Sequence, residues 1–191
     1  MELEELANNI ADALVEIDRA GEPFKHFQPG IGPYGEPQLT RLVAGHLSKL
    51  PNLEKTVCKR TPDLLIPKQW ALEFKIARPF GDNGKEAEDW SVNLLHPYPG
   101  NVSTIGDCYK LARWPGFERK GVVVIGYEHH PPQIALTPLV ESFEAIAKYV
   151  AGIRLSSRVE CCRVGLIHPV HQSLRVFAWE VLDAQSGSGA V

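Results

Sequence analysis

The spacing of apolar residues along the chain sets the first expectations. Leu3, Leu6, Ile10, Leu14 and Ile17 recur every three or four residues and predict an amphipathic helix over residues 2–20, stopped by Gly21 and Pro23. The stretch EPFKHFQPGIGPYGEP breaks that period with prolines and glycines and reads as a loop. A second helix is expected from Glu36–Pro37, where proline suits the first turn, to Leu50 ahead of Pro51, with Leu39, Val43, Leu47 and Leu50 as its stripe. LEKTVCKR, DLLI and WALEFKIA are three short strand candidates. After the polar RPFGDNGKEAEDWSVNLLHPYPGN, residues 103–114 (STIGDCYKLARW) predict a helix with a serine start and apolar spacing at Ile105, Tyr109 and Ala112. GVVVIGYE, residues 121–128, has the continuous apolar character of a strand buried on both faces. TPLVESFEAIAKYVAG is a helix with Thr137 as its cap, Pro138 in the first turn and Gly152 beyond its end. CCRVGLI and LRVFAWEVL are two more strands. Helices interleaved with strands predict the α/β class with a mixed sheet. A single domain is expected over residues 1–183, followed by a flexible tail at 184–191.

One hairpin departs from core patterning. Side chains alternate along a strand, so Trp70, Leu72, Phe74 and Ile76 form one face of WALEFKIA and Ala71, Glu73, Lys75 and Ala77 the other. The first is a core face; the second carries an acid and a base between small alanines that would leave room for a ligand. Closing the hairpin with a loop at 67–69 pairs Ile66 with Trp70 and Leu64 with Leu72, and sets Asp63 opposite Glu73. A slip of one residue would put Asp63 on the core face, so the pattern favours this register. Directly opposed carboxylates, with Cβ atoms roughly 5 Å apart, repel by about 3 kcal/mol at an effective dielectric of about 20. A divalent cation between them would offset that repulsion, with Lys75 reaching the same pocket.

Composition narrows the field only modestly. The chain has 191 residues, 44% of them hydrophobic and 23% charged, which suits one soluble domain with a full core. No apolar run approaches the roughly 20 residues of a membrane span, and MELEELANNI is acidic where a signal peptide would be basic. A soluble, cytoplasmic protein with no membrane partner is expected. Net charge is −3, which argues against coating nucleic acid through bulk positive charge. Residues 54–75 are nevertheless net +2, with Lys55, Lys59, Arg60, Lys68 and Lys75 against Glu54, Asp63 and Glu73. Four cysteines, two of them adjacent and none in a CxxC pair, read as small buried hydrophobes of a reducing compartment.

Pro62–Asp63, then nine residues, then Glu73–Phe74–Lys75 resembles the signature of the PD-(D/E)xK nuclease superfamily, and the order of elements from Glu36 to Glu128 resembles its αβββαβ core. The resemblance covers roughly half the chain, leaving the first helix and the last strands as additions. It implies a restriction-endonuclease-like fold with a mixed central sheet. It implies a Mg²⁺-dependent endonuclease acting on DNA, with Mn²⁺ as a substitute. Asp63, Glu73 and the backbone carbonyl of Phe74 would hold the metal, and Lys75 would position or activate water. Glu36, at the start of the second helix, matches a helical glutamate that often completes the metal site in related nucleases; the helix dipole alone also favours an acid there. Such small members commonly act as homodimers. A catalytically inactive nucleic-acid-binding or assembly module of the same fold, and a nuclease for RNA or branched DNA, are the alternatives.

Other candidates are each two-sided. Lys110 could contact a phosphate or pair with Asp107 one helical turn away. Lys59, Arg60 and Lys68 are candidate nucleic-acid contacts, and Ser103 reads as a helix cap. His168 and His171 form a His-x-x-His pair expected in a hairpin turn; zinc would need two more ligands, of which Cys161 or Cys162 could supply one. The aromatics of FQPGIGPYG and HPYPG read as loop packing or as stacking platforms for bases.

Overall fold

Strand β3 (Trp70–Ala77) is the axis around which the rest is arranged. In the computed structural model, which describes residues 1–98, 100 and 102–182, seven strands form one mixed sheet. The expected tail at 184–191 lies outside the described residues. The strands are β1 (Val57–Cys58), β2 (Leu64–Ile66), β3, β4 (Arg119–Glu128), β5 (Arg154–Leu155), β6 (Val159–Val164) and β7 (Ser173–Leu182). The order is β1-β2-β3-β4-β7-β5, with β6 also on β7. β3 and β4 run parallel; the other pairs are antiparallel.

Helices cover both faces. On one side α1 (Leu3–Arg19) and α2 (Glu36–Leu47) pack Leu6, Ile10, Leu14, Leu39 and Val43 against Trp70, Leu72 and Phe74. On the other, α4 (Thr104–Ala112) and α5 (Thr137–Tyr149) pack Ile105, Leu111 and Phe143 against Val122, Val124 and Trp179. A parallel β3–β4 pair needs a crossover, and its helices, the short α3 (Val92–Leu95) and α4, lie on that second face. Ala71 and Ala77 are therefore wholly buried in a second core. They do not open space for a ligand, as the alternation in WALEFKIA had implied. Small side chains let α4 close on the strand.

Several local expectations shift. LEKTVCKR yields only the two residues of β1, and α2 ends at Leu47, its last turn tightening through Leu50 N–H to the Leu47 carbonyl. The buried face of α4 is Ile105, Cys108 and Leu111; Tyr109 is half-buried and Ala112 exposed. Ser103 does cap α4, accepting from Gly106 N–H at 3.1 Å. Thr137 does not cap α5: Leu136 holds that place and gives its N–H to the Glu128 carboxylate, while the Thr137 hydroxyl accepts from Arg175. α3 and β5 were not foreseen. Of the cysteines only Cys108 and Cys161 are buried; Cys58 and Cys162 are exposed, and all four are free. Among the described residues no helix is long and apolar enough to cross a membrane.

Candidate active site

The β2–β3 hairpin closes at 67–69 in the predicted register, Ile66 on Trp70 and Leu64 on Leu72. β2 begins at Leu64, so the preceding residue, Asp63, stands beside Glu73 without extending the ladder. Its side chain replaces the missing backbone bond: Oδ2 accepts from Phe74 N–H at 2.9 Å. The Asp63 carbonyl is held in turn by Lys59 N–H at 3.1 Å. In an extended strand one residue's N–H and C=O point to the same side. The Phe74 carbonyl therefore faces the edge on which Asp63 sits.

Asp63 and Glu73 do come together, and the consequence is visible in the acid–base balance. Glu73 is 3% exposed and its Oε1 has no hydrogen-bond partner. Burial first, then the charges of Asp63 and Asp107 and a hydrogen bond with Asp63, push its carboxyl up to about 9. Lys75, 9% exposed, lies 3.0 Å from Asp107 and 3.3 Å from Glu36. Burial works against its charge, but Asp107 and Glu36 together outweigh burial and hold the ammonium above the ordinary lysine range. Asp107, 1% exposed, also binds Lys110 at 2.6 Å. Burial raises the Glu36 carboxyl more than the nearby Lys75 lowers it. Four carboxyls (Glu36, Asp63, Glu73, Asp107) thus crowd two ammoniums, and the proton on Glu73 relieves part of the excess.

The site residues come from elements on both faces. Glu73 and Lys75 point toward the α4 side of β3, where Asp107 meets them from the first turn of α4. Glu36, first residue of α2, belongs to the opposite layer and reaches Lys75 around the edge that β2 leaves open. A cleft of about 290 Å³ leads in, lined by Glu36, Thr40, Arg41, Cys58, Lys59 and Asp63.

All-oxygen donors, an orphaned buried oxygen and surplus negative charge suit a hard divalent cation at Asp63 and Glu73. Among the described residues no three His, Cys, Asp or Glu side chains form a ready ligand group. Glu36 is turned to Lys75 and Asp107 to both lysines, so neither lies free beside the Asp63–Glu73 pair.

The basic candidates divide. Lys110 pairs with Asp107, the intrahelical option, and this also brings it to the site. Lys59 lies on the cleft, its ammonium 5.7 Å from the Trp114 ring. Arg60 is exposed beside it. Lys68 is not brought in: it occupies the hairpin turn at φ 66°, five residues or roughly 16 Å along the strand from Glu73.

The histidine pair is a structural tie and not a zinc site. His168 and His171 are each 1% exposed, with rings stacked 4.3 Å apart in the β6–β7 connection. His168 Nε2 meets Asp82 at 3.0 Å while its Nδ1 accepts from Val170 N–H and His171 N–H. His171 Nε2 meets the Phe80 carbonyl at 2.9 Å. The nitrogens a metal would use are engaged, save His171 Nδ1, which packs on Gly32. Neither Cys161 nor Cys162 joins the pair in a metal-ligating group. The loop aromatics Phe24 and Tyr34 pack on each other at 4.7 Å.

Asp107 is the residue that sequence reasoning undervalued, treating it only as a partner for Lys110. Its signal was present: it lies one position from Cys108 and four from Leu111, on the apolar side of α4. The chain matches no family model, no curated protein and no solved structure.

Proposed function

We propose that the chain is a Mg²⁺-dependent endonuclease of the PD-(D/E)xK superfamily, hydrolysing phosphodiester bonds in DNA, with Mn²⁺ able to substitute. The observation that carries this reading is the Asp63–Glu73 pair with its orphaned oxygen, set beside a Lys75 clamped between Asp107 and Glu36. The succession α2, β1, β2, β3, α4, β4, with the one-turn α3 ahead of α4, supports a restriction-endonuclease-like core. Asp63, Glu73 and the Phe74 carbonyl would hold the metal, with Glu36 at hand across Lys75. When bound, the ion supplies Lewis-acid polarisation of a phosphate oxygen and acidifies water.

The chain's own residues account for the remainder. Lys75 keeps its proton and places a fixed positive charge where negative charge builds on the phosphoryl oxygens. Asp107 and Glu36 hold that ammonium in place. Lys59, Arg60 and Lys110 supply phosphate contacts along the approach, which position the strand without reading its sequence. By the resemblance, products carry a 5′-phosphate and a homodimer cuts both strands.

A second reading has its own support. Glu73 carrying a proton and Lys75 saturated by two acids form a cluster content without metal, as in a non-catalytic binding module. Incubation of the protein with plasmid, single-stranded DNA, branched DNA and RNA, in Mg²⁺ or in EDTA, separates the two. Metal-dependent cleavage that Asp63→Asn and Lys75→Ala abolish supports the nuclease. Cleavage that survives either change removes this site, and tight binding without cleavage under any metal favours the module.

A further inference from the structure

We propose that the corner between α4 and β4 is a stacking site for unpaired nucleobases, so that the strand entering the candidate site is single-stranded there. This rests on the phosphodiester reading above and names the form of substrate it takes. A cleft of about 440 Å³ lies at this corner, lined by Thr61, Val102, Lys110, Arg113, Trp114 and Pro115 among others. Both charged residues in its lining, Lys110 and Arg113, are cations. Thr61 stands two residues before Asp63, and Lys110 binds the Asp107 that holds Lys75. The cleft therefore adjoins the candidate site through Lys110.

The apolar side of the corner is what selects single strands. Phe117, two positions past the cleft-lining Pro115, is 105% exposed and packs on nothing among the described residues, and Val102 on the cleft wall is 70% exposed. Trp114 is fixed by its Nε1–H to Glu118 at 3.2 Å, with Lys59 over its ring. Glu118, the acid at this corner, is thus occupied by Trp114 and by Lys68 N–H. Arg113 has no acidic partner among the described residues. Flat rings beside the unpaired Arg113 fit exposed bases strung on phosphates, whereas the bases of a duplex are stacked on one another and out of reach.

The test is fluorescence anisotropy in EDTA, where hydrolysis plays no part. The probes are oligo(dT) and oligo(U) of about 20 nucleotides and a blunt duplex of equal length. The protein is the whole chain, as wild type, Phe117→Ala and Arg113→Ala. Single strands are expected to bind about 10-fold or more tightly than duplex, and the dT and U arms show whether DNA or RNA is preferred. Phe117→Ala, a surface change that leaves folding intact, weakens single-strand binding by about 10-fold and duplex binding by less than about 2-fold. Arg113→Ala reduces the salt slope by about 1. Equal affinity for duplex, or unchanged oligo(dT) affinity in Phe117→Ala, overturns the proposal. So does sedimentation in which Phe117→Ala merely dissolves a dimer, since the surface would then be a subunit contact. Single-strand binding without cleavage under any metal leaves this inference standing and removes the nuclease reading.

Discussion

Two buried polar clusters lie among the described residues, and they differ in what their polar groups engage. Around His168 and His171 the polar groups mostly fasten backbone: Asp82 takes Gln28 N–H and faces His168, and Asp18 takes Ile31 and Ile167 N–H, while His171 Nδ1 and the Tyr127 hydroxyl are left without partners. The cluster ties the loop after α1 and the 79–90 segment to the β6–β7 turn. Around Lys75 the chain instead gathers four carboxyls against two ammoniums and strands Glu73 Oε1 without a partner. Buried polar groups are normally satisfied, and those that are not call for a reason. The first cluster fastens backbone segments to one another, whereas the second concentrates charge, which is the feature the proposed function uses.

That contrast can be broken most directly at Lys75. Lys75→Ala and Asp63→Asn are each expected to lower plasmid cleavage by about 100-fold or more, with circular dichroism unchanged. Equal loss of cleavage in His168→Gln would erase the distinction between the clusters.

The histidine cluster should reveal itself through pH and stability. Burial, despite the Phe80 carbonyl, takes His171 down to about 4, below its unfolded value of 6.5. The unfolded chain thus binds more protons between those limits. The stability from keeping this ring neutral is fully present above pH 6.5 and falls away as pH drops toward 4, by at most about 3 kcal/mol. Urea unfolding at pH 7 and pH 4.5 measures the drop, and His171→Gln should flatten it while cleavage at pH 7 persists. An unaltered slope in that variant would place the titration elsewhere.

Glu73→Gln sharpens the comparison from the other side. Because the buried carboxyl already carries a proton at pH 7, the amide should cost the metal-free protein no melting temperature, and it should remove the rise that Mg²⁺ gives the wild type. Marked destabilisation without metal would recast Glu73 as structural. The smallest effect is expected at Lys68, far along the hairpin: Lys68→Ala should leave cleavage within about 2-fold, measured under the same conditions.

The sequence carried the hairpin register, because period-two alternation and a three-residue turn leave little freedom in pairing. It also carried most of the long elements, whose periodicity is strong. What β3's second face packs against could not be read from eight residues, since that depends on where α4 and α5 settle after a parallel crossover. Asp107 was hidden for the same reason. Read with Ile105, Tyr109 and Ala112 as the apolar face, it falls on the solvent side; with Ile105, Cys108 and Leu111 inward, it is drawn into the interior. The zinc alternative at His168 failed because its partners, Asp82 and Phe80, lie some ninety positions away in sequence and only folding supplies them.

Glu36 belongs to a helix packed on one side of the sheet and Asp107 to a helix packed on the other, yet both grip the same ammonium. Lys75 is thus a rivet through the rim of the sheet. A shift of either helix alters the grip of the other, so the two layers report to each other through a single side chain.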